Sequence, residues 1–472
     1  MGNPLELLPE MLLLTGAVGG LLLGMWTPQR RQGRVAVVAV LLCLASAALS
    51  AAALAGPDVE VFHGTWLVDT ITGVVRVVVA LGAAVAVLLC RSSLKGRPRE
   101  TEAYVLVLLA AIGSITLAAS GDVLVLMAAY LLASIPLYAL VGMQKDSRGV
   151  EATLKYFLMG AFVGIVMLLG ITALVLGVGR SRYDVLAAVL PDQPTPIVAV
   201  GVLGVLAGLA FKAGAVPLHF WVPDVTAGTT PAIAAFITTI PKIGALAAVF
   251  RLMDGPFADV PLDVPLVVAV IATASMTLGN LAAFAQDEVL RLLAYSTISQ
   301  VGYVLMVVAV ADRTDLALPA LAIYLAAYTV ANIGAFAAAA AAPEARTIAE
   351  WSAAAGHRRW LVLSLVICLL GLVGTPPTAV FVGKLAAFLA AADGGLAWLV
   401  VVAAVNTVAS LFYYLRWIVP AFGGVGGGAA GSAASGGPGA VLRLPVVVVH
   451  GAAAGSIVLG VAAGWYVAGI VG

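Results

Sequence analysis

The sequence predicts an all-α polytopic membrane protein of about fourteen transmembrane helices, and two observations lead to that fold class. The 472 residues are 62% hydrophobic and 10% charged, whereas soluble chains average about 45–50% apolar and about 25% charged residues. Apolar runs of about 20 residues, the length with which a helix crosses the hydrocarbon core of a bilayer, recur along the whole chain. These runs leave no stretch long enough for a soluble domain between them.

The individual spans lie between charged residues and Pro or Gly breaks. We expect them at 8–26, 35–55, 70–90, 103–120, 122–142, 154–177, 197–222, 230–251, 264–285, 290–310, 318–342, 359–390, 396–419 and 442–470. Before the last span, residues 421–441 are rich in Gly, Ala and Ser and contain no charge, which is typical of a flexible linker.

The Lys and Arg residues are distributed unevenly between the two sides of these spans. Of the 24, sixteen lie in or beside odd-numbered connections, four lie in even-numbered connections and four lie inside spans. Because cytoplasmic loops carry an excess of Lys and Arg, we expect the odd connections in the cytoplasm. Both termini of this multi-pass protein are then predicted on the outer side of the cell's inner (plasma) membrane.

Three lysines within apolar spans are the candidate functional residues: Lys212, Lys242 and Lys384, each with a Pro nearby. A cation at mid-bilayer costs about 2.5–3.5 kcal/mol on insertion scales, so its presence suggests a function. Desolvation disfavours the charged form of a lysine and brings proton uptake and release toward physiological pH. The alternative interpretation is that these lysines snorkel to the interface or pair for structural reasons.

Two of the spans are predicted to be discontinuous helices. Pro217 and Pro223 interrupt the seventh span, and Pro376 and Pro377 interrupt the twelfth. Freed backbone groups at membrane depth are tolerated where they line protein or water, and such broken helices build ion sites in transporters.

A repeat follows from the position of these breaks, because they lie five spans apart and each accompanies a Lys. We therefore expect spans 4–8 and 9–13 to form two inverted five-helix repeats. The predicted organisation is an N-terminal three-helix segment at 1–102, repeats at 103–253 and 254–420, the linker at 421–441 and a final span at 442–472.

Four segments resemble subunit N of the respiratory NADH-quinone oxidoreductase (complex I). Residues 151–162 are similar to its EAALKYFLLGAF run, and residues 208–224 to its GLAFKxxxVPxHxWxPDV run. Residues 280–303 resemble its GNLxAxxQxxxKRLLAYSSIxxxGY segment, and residues 371–384 its GxPPTxGFxGK segment. The four follow one another in the same order from span 6 to span 12.

The resemblance implies an antiporter-like membrane subunit of a proton-translocating NADH:quinone oxidoreductase, one that couples quinone reduction to proton translocation. It implies no cofactor in this chain, since NADH, FMN, iron-sulfur clusters and quinone belong to other subunits of the complex. The implied partners are the neighbouring antiporter-like and small membrane subunits and the lipid bilayer, with no nucleic acid.

The resemblance also implies roles for single residues. Lys212 corresponds to the lysine that receives protons, Lys242 to the one that relays them and Lys384 to the one near the exit. Lys155 corresponds to a further family lysine at the start of span 6, either part of the proton path or a cytoplasmic interface anchor. His219, in the break of span 7, either bridges water between lysines or satisfies a freed carbonyl.

One position departs from the family pattern. The family has a glutamate five residues before the Pro of an LELxSLPLY motif in span 5, and Leu131 occupies that position here. Span 5 offers no carboxylate beyond Asp122 at its edge, so we expect Lys212 to lack its usual counter-charge. This departure leaves open a paralogue that acts as a scaffold in complex I without pumping.

Homologous subunits also occur in multisubunit cation/proton antiporters and in membrane hydrogenases, and these remain alternatives. The shared lysines do not discriminate between these complexes. The KYFLMGAF and WVPDV strings favour subunit N, as does Lys384 at a position where subunit M carries a glutamate.

Overall fold

The structure is a computed structural model that describes residues 4–426 and 441–471, most of which lie in α-helices. The N-terminal helices are α1 (Leu8–Trp26), α2 (Gly33–Ala53) and α3 (Thr70–Leu94). They are followed by α4 (Glu100–Ala119), α5 (Val123–Val141), α6 (Ser147–Val178), α7 (Tyr183–Val189), α8 (Thr195–Ala213), α9 (Trp221–Ala227) and α10 (Pro231–Asp254). The remaining helices are α11 (Val264–Phe284), α12 (Val289–Val308), α13 (Ala317–Ala341), α14 (Ile348–Ala355), α15 (Arg359–Val373), α16 (Ala379–Asp393), α17 (Ala397–Gly426) and α18 (Arg443–Val471).

The helices confirm the predicted membrane architecture of about fourteen spans. Thirteen helices of the described ranges are long and apolar enough to cross a membrane. The twelfth predicted span consists of α15 and α16, two helices of 15 residues each that are too short to cross alone. Counted as one broken span, this pair brings the total to the expected number.

Both predicted discontinuities are present. Span 7 is interrupted between α8 and α9, and span 12 between α15 and α16. The first half of each ends at a glycine with a left-handed backbone, Gly214 (φ +76°) and Gly374 (φ +92°). Side chains other than glycine rarely adopt that conformation, and a glycine there lets the last carbonyls of the helix be capped. The sequence places Pro217 and Pro376 just after these glycines, where a helix cannot simply continue.

Helix α10 is the centre of the molecule. Every one of its residues from Pro231 to Met253 is buried, and it packs against α3, α4, α8, α12 and α13. By contrast α1, α2, α6 and α17 expose rows of large apolar side chains on their outer faces, as expected where a helix meets lipid or another subunit. The middle of α10 is therefore shielded from solvent by the helices around it.

Two features of the connections go beyond the all-α prediction. Strands β1 (Val59–Val61) and β2 (Trp66–Val68) form an antiparallel hairpin between α2 and α3. Short helices α7 and α14 lie in the connections after α6 and α13. Three-residue strands and one- or two-turn helices carry too little periodicity to be predicted from hydropathy.

The structure describes only part of the predicted linker at 421–441. Helix α17 continues to Gly426, so the first six residues of 421–441 belong to it, and residues 427–440 lie outside the described part of the chain. The interruptions fall in the fourth span of each predicted five-helix repeat. The inverted relation between the repeats, and the domain boundaries, stay predictions.

Candidate functional site

Lys212 lies in the last turn of α8, just before the break of span 7. Its side chain is buried and its Nζ donates hydrogen bonds to the Ala133 carbonyl and to Ser134 Oγ, the latter at 2.8 Å. Ala133 and Ser134 belong to α5, and the ring of Tyr130 in that helix lies 5.8 Å from the Lys212 Nζ. Lys212 therefore meets a face of α5 that offers neutral polar groups.

Leu131 lies on a different face of α5. Its side chain is 43% exposed on the outside of the bundle, whereas Tyr130, Ala133 and Ser134 face Lys212. Among the described residues, no carboxylate forms an ion pair with Lys212. The missing counter-charge of Lys212 stays a prediction from the sequence, and the described partners of this lysine on α5 are uncharged.

Lys242 occupies the middle of α10, directly after Pro241. It is fully buried, and its Nζ donates a hydrogen bond of 2.9 Å to Thr297 Oγ1 on α12. A methyl group added to Gly214 would lie 3.2 Å from this Nζ. The break of span 7 therefore lies directly against the Lys242 ammonium, and Gly214 supplies both the backbone conformation and the space for that approach.

Polar side chains continue from Thr297 along α12 toward the second break. One helical turn further on, Gln300 donates from Nε2 to the Leu372 carbonyl at 2.8 Å, close to the end of α15. Its Oε1 accepts a hydrogen bond of 2.7 Å from the Tyr324 hydroxyl. The Tyr324 ring stacks on Tyr303, with ring centroids 6.4 Å apart. This buried polar row leads from the neighbourhood of Lys242 to Lys384.

Lys384 lies in α16 and reaches back across the break of span 12. Its Nζ donates to the Val373 carbonyl at 2.9 Å and to Thr407 Oγ1 at 3.4 Å. The Nζ also lies 3.9 Å from the centre of the Tyr303 ring, a cation–π contact. The Thr407 hydroxyl donates in turn to the Tyr303 hydroxyl at 3.0 Å. A backbone carbonyl at the end of α15 and the face of the Tyr303 ring thus both contact the Lys384 amine.

The three lysines share one environment. Each is buried beside a Pro or a helix break and has uncharged hydrogen-bond partners. An ammonium without a carboxylate partner lacks the Coulomb attraction that would fix its proton, and burial disfavours its charge. Neutral hydroxyl and carbonyl groups can serve both the charged and the neutral amine. The arrangement is suited to groups that change protonation state.

His219 lies in the connection between α8 and α9, as predicted, and is half-buried. Its Nδ1 has no hydrogen-bond partner within the described ranges. The imidazole therefore lies in the loop that interrupts span 7 and keeps one ring nitrogen to which no described residue is hydrogen-bonded.

Lys155 lies apart from the buried row. Its side chain is 47% exposed and pairs with Glu151 at 2.7 Å and with Asp224 at 2.8 Å. Asp224 also pairs with Arg291 at 3.0 Å, so one carboxylate of α9 connects the start of α6 to the start of α12. An open cleft of about 360 Å³ adjoins this ionic cluster. These contacts fit the anchor interpretation of Lys155, because they hold the short helix α9 in place.

Sequence reasoning missed several residues of the site. The partners of the lysines are Ser134, Thr297, Tyr303 and Thr407, and Asp224 is the centre of the cluster around Lys155. The available signal was the presence of polar side chains inside otherwise apolar spans. Hydropathy cannot tell which of them face a lysine, because that depends on how the helices pack.

Comparisons with known proteins agree with this geometry. The family model for the transmembrane part of NADH:quinone oxidoreductase and Mrp antiporters matches residues 120–410. NADH-quinone oxidoreductase subunit N 1 of Streptomyces griseus subsp. griseus is 54% identical over 420 residues, which cover 89% of this chain and 89% of that protein. Subunit N of a Mycobacterium species is 46% identical over 462 residues, which cover 98% of this chain and 97% of that protein.

A solved structure supports the same assignment at the level of the fold. A chain of respiratory complex I from Thermus thermophilus, solved with bound aureothin, superposes with a TM-score of 0.81 at 30% identity and covers 96% of both chains. The family model matches more than half of this chain, and the two relatives cover most of it. The chain therefore belongs to the NADH-quinone oxidoreductase subunit N family.

Proposed function

We propose that this chain is a membrane subunit of NADH-quinone oxidoreductase and conducts protons along its buried lysines. The main observation behind this proposal is that Lys212, Lys242 and Lys384 are buried and have uncharged hydrogen-bond partners. In this proposal Lys212 receives protons, Lys242 relays them and Lys384 passes them toward the exit. Electron transfer from NADH to quinone takes place in other subunits, which hold the FMN and the iron-sulfur clusters.

The first transfer uses the break of span 7. Lys212 lies at the end of α8, and Gly214, two residues later, lies beside the Lys242 Nζ. A loop of irregular backbone at membrane depth supplies carbonyl groups that can hold water between two amines. His219 lies in the same loop, and we assign its unpaired Nδ1 to that bridging water.

The second transfer uses the polar row on α12. Thr297 contacts Lys242, and Gln300 and Tyr324 continue toward Tyr303, which contacts Lys384. Hydroxyl groups can donate and accept at once, so they can pass a proton with the help of water. We propose that this row is the route between the two lysines.

The orientation and the repeats belong to the same proposal. The excess of cations in the odd connections supports a cytoplasmic location for the cluster around Lys155, with both termini on the outer side of the plasma membrane. We infer that Lys155 anchors α9 and does not carry protons. Two inverted repeats would then place one broken helix in each half of the path.

A scaffold without pumping activity is the second candidate, because the sequence departs from the family pattern at Leu131, although this residue is partly exposed on a face of α5 that does not contact Lys212. A subunit that lacks the span 5 carboxylate could occupy its place in the complex and leave proton transfer to sister subunits. The two candidates differ in what the loss of Lys242 should do, because only a conducting subunit needs that amine.

The test is proton translocation by the purified complex in sealed vesicles, with quinone reduction followed in parallel. We expect Lys242→Ala to lower the number of protons moved per electron while leaving assembly intact. Lys95→Ala, which removes an exposed lysine from a connection, is the matched control. An unchanged ratio in a fully assembled Lys242→Ala complex would favour the scaffold.

A further inference from the structure

Cations are concentrated at one end of the first four helices. Some lie between α1 and the first turn of α2, and the others lie between the end of α3 and the start of α4. The two segments touch, because Gln29 Nε2 donates a hydrogen bond of 3.1 Å to the Gly96 carbonyl. We call these seven residues the basic patch: Arg30, Arg31, Arg34, Arg91, Lys95, Arg97 and Arg99.

Arg91 connects the two parts of the basic patch. A methyl group added to Gly33 would lie 3.2 Å from Arg91 Nε, so the guanidinium of α3 lies directly against the start of α2. Arg34 follows Gly33 in the chain. Arg91 is half-buried and the other six cations are exposed. The positive charges from both segments are therefore neighbours on the protein surface.

The charge of the basic patch is not neutralised within the part of the chain that the structure describes. None of its seven residues takes part in an ion pair there. The first turn of α4 holds two carboxylates, Glu100 and Glu102. Glu100 is buried and accepts hydrogen bonds from the Gly96 amide at 2.7 Å and the Tyr104 hydroxyl at 2.8 Å. Seven cations beside two carboxylates leave a net charge of +5.

Other cations on the same predicted side of the membrane are paired. Arg148 lies 3.3 Å from Glu288, and Lys155 lies 2.8 Å from Asp224. The excess of cations in cytoplasmic connections explains the sign of the basic patch. It does not explain why the charge is left unpaired here and is paired around Lys155. An unpaired positive surface of this kind attracts anions.

The helices that carry the basic patch expose apolar side chains next to it. Met25 and Trp26, at the end of α1, are 76% and 78% exposed, and Val37, Val38 and Leu41 near the start of α2 are also exposed. Tryptophan is enriched where the hydrocarbon core of a bilayer meets the headgroups. The cations therefore lie at headgroup level, directly beside a surface suited to acyl chains.

An anionic phospholipid matches both parts of this surface. Six of the seven cations are arginines, whose planar fork binds a phosphate with paired, charge-assisted hydrogen bonds. Clusters of 4–8 basic residues beside a membrane helix are typical of anionic lipid binding. A zwitterionic lipid would cover the apolar side chains but bring no net charge. An acidic protein segment would bring the charge but no acyl chains.

We propose that the basic patch binds an anionic phospholipid, with the phosphate beside Arg34 and Arg91 and the acyl chains along α1 and α2. The proposal uses none of the lysines assigned to proton conduction, so the two can fail separately. Its readout is the labelling of this region by lipid, whereas the readout for the lysines is the number of protons moved per electron.

Photolabelling of the purified, intact complex in detergent tests the proposal directly. The probe is phosphatidylglycerol with a diazirine in its acyl chain near the headgroup, and the control is phosphatidylcholine with the same diazirine. Because each basic residue near an anionic membrane surface strengthens binding about fivefold, we expect about tenfold more labelling by phosphatidylglycerol. Mass spectrometry should place those adducts within residues 22–41.

Two results of this experiment would overturn the proposal. Equal labelling by the two lipids would show that the region is an ordinary lipid-facing surface. Absence of labelling by either lipid would show that another protein segment covers the basic patch.

A charge-neutralised variant tests which residues attract the lipid. Arg30→Gln/Arg31→Gln/Arg97→Gln changes exposed side chains without ion pairs, and it should lower labelling by phosphatidylglycerol about tenfold or more. Labelling by phosphatidylcholine should not change. The matched control removes the same charge from exposed arginines between α13 and α15: Arg346→Gln/Arg358→Gln/Arg359→Gln. Equal labelling of the two variants by phosphatidylglycerol would contradict binding at the basic patch.

Discussion

Two kinds of buried cation occur in this protein. Arg76 in α3 and Arg251 at the end of α10 are paired with carboxylates: Arg76 Nε lies 2.6 Å from Glu10, and Arg251 lies 2.7 Å from Asp69. The three buried lysines are held by hydroxyls, carbonyls and an aromatic ring. The two groups differ in residue type as well as in partner.

The difference follows from the chemistry of the two side chains. An arginine stays protonated in proteins, so a buried one requires a counter-charge, and its planar fork matches a carboxylate. A lysine can lose its proton when it is buried, so neutral partners suffice. The arginine pairs are therefore fixed joints between helices, and the lysines are the groups that can change charge. Four substitutions test this contrast.

The largest effect is expected from Arg76→Leu, which leaves Glu10 buried without its partner. Removing one member of a buried ion pair typically costs about 3–5 kcal/mol. We expect lower thermal stability and a lower yield of the complex, with the number of protons per electron unchanged in the fraction that assembles. Thermal unfolding of the purified complex measures the loss. The double variant Glu10→Leu/Arg76→Leu should recover much of it, and a double variant as unstable as the single one would contradict the account.

Ser134→Asp should give Lys212 a carboxylate partner, like the partners of the two buried arginines. Ser134 Oγ lies 2.8 Å from the Lys212 Nζ, so a carboxylate there would favour the charged amine by about tenfold or more. We expect slower proton translocation at unchanged assembly, because Lys212 would release its proton reluctantly. Ser134→Ala is the matched variant without the charge. Translocation at the wild-type rate in Ser134→Asp would show that Lys212 need not release its proton.

Thr297→Val removes the hydroxyl that accepts from Lys242 while keeping the shape of the side chain. A hydrogen bond to a charged group is worth about 1.5–3 kcal/mol, so the charged form of Lys242 should be disfavoured by about tenfold to a hundredfold. We expect a corresponding change in the pH dependence of translocation with little change in stability. Thr172→Val, on the exposed face of α6, is the control. Identical pH profiles for wild type and Thr297→Val would contradict a role for this contact.

Leu131→Glu should have the smallest effect. Position 131 is exposed, and Lys212 contacts the face of α5 formed by Tyr130, Ala133 and Ser134. A glutamate at that surface stays partly solvated or meets a neighbouring subunit, so we expect less than about a twofold change in translocation, as is usual for exposed charges. A change as large as that of Ser134→Asp would mean that α5 turns toward Lys212 in the assembled complex.

The sequence predicts the span architecture well because hydropathy and the Pro and Gly residues that interrupt helices are local signals. Apolar runs of bilayer length locate the helices, and Pro217 and Pro376 locate the interruptions before any packing is known. The hairpin that joins Val61 to Trp66 escapes this reasoning, since three-residue strands have no measurable period.

The site is predictable to a lesser degree, and the reason is physical. A lysine in an apolar span is conspicuous, so Lys212, Lys242 and Lys384 could be named from the sequence. Their partners depend on which helix faces which, and Thr297 is far from Lys242 in sequence but 2.9 Å away in the fold. The outward orientation of Leu131 likewise depends on packing that no local pattern records.

The most direct test of proton conduction by this chain is the number of protons moved per electron in Lys212→Ala, compared with wild type and with Lys95→Ala, in sealed vesicles. We expect a lower number in Lys212→Ala at normal assembly and normal quinone reduction, with Lys95→Ala equal to wild type. An unchanged number in Lys212→Ala would contradict this expectation and assign the proton path to other subunits.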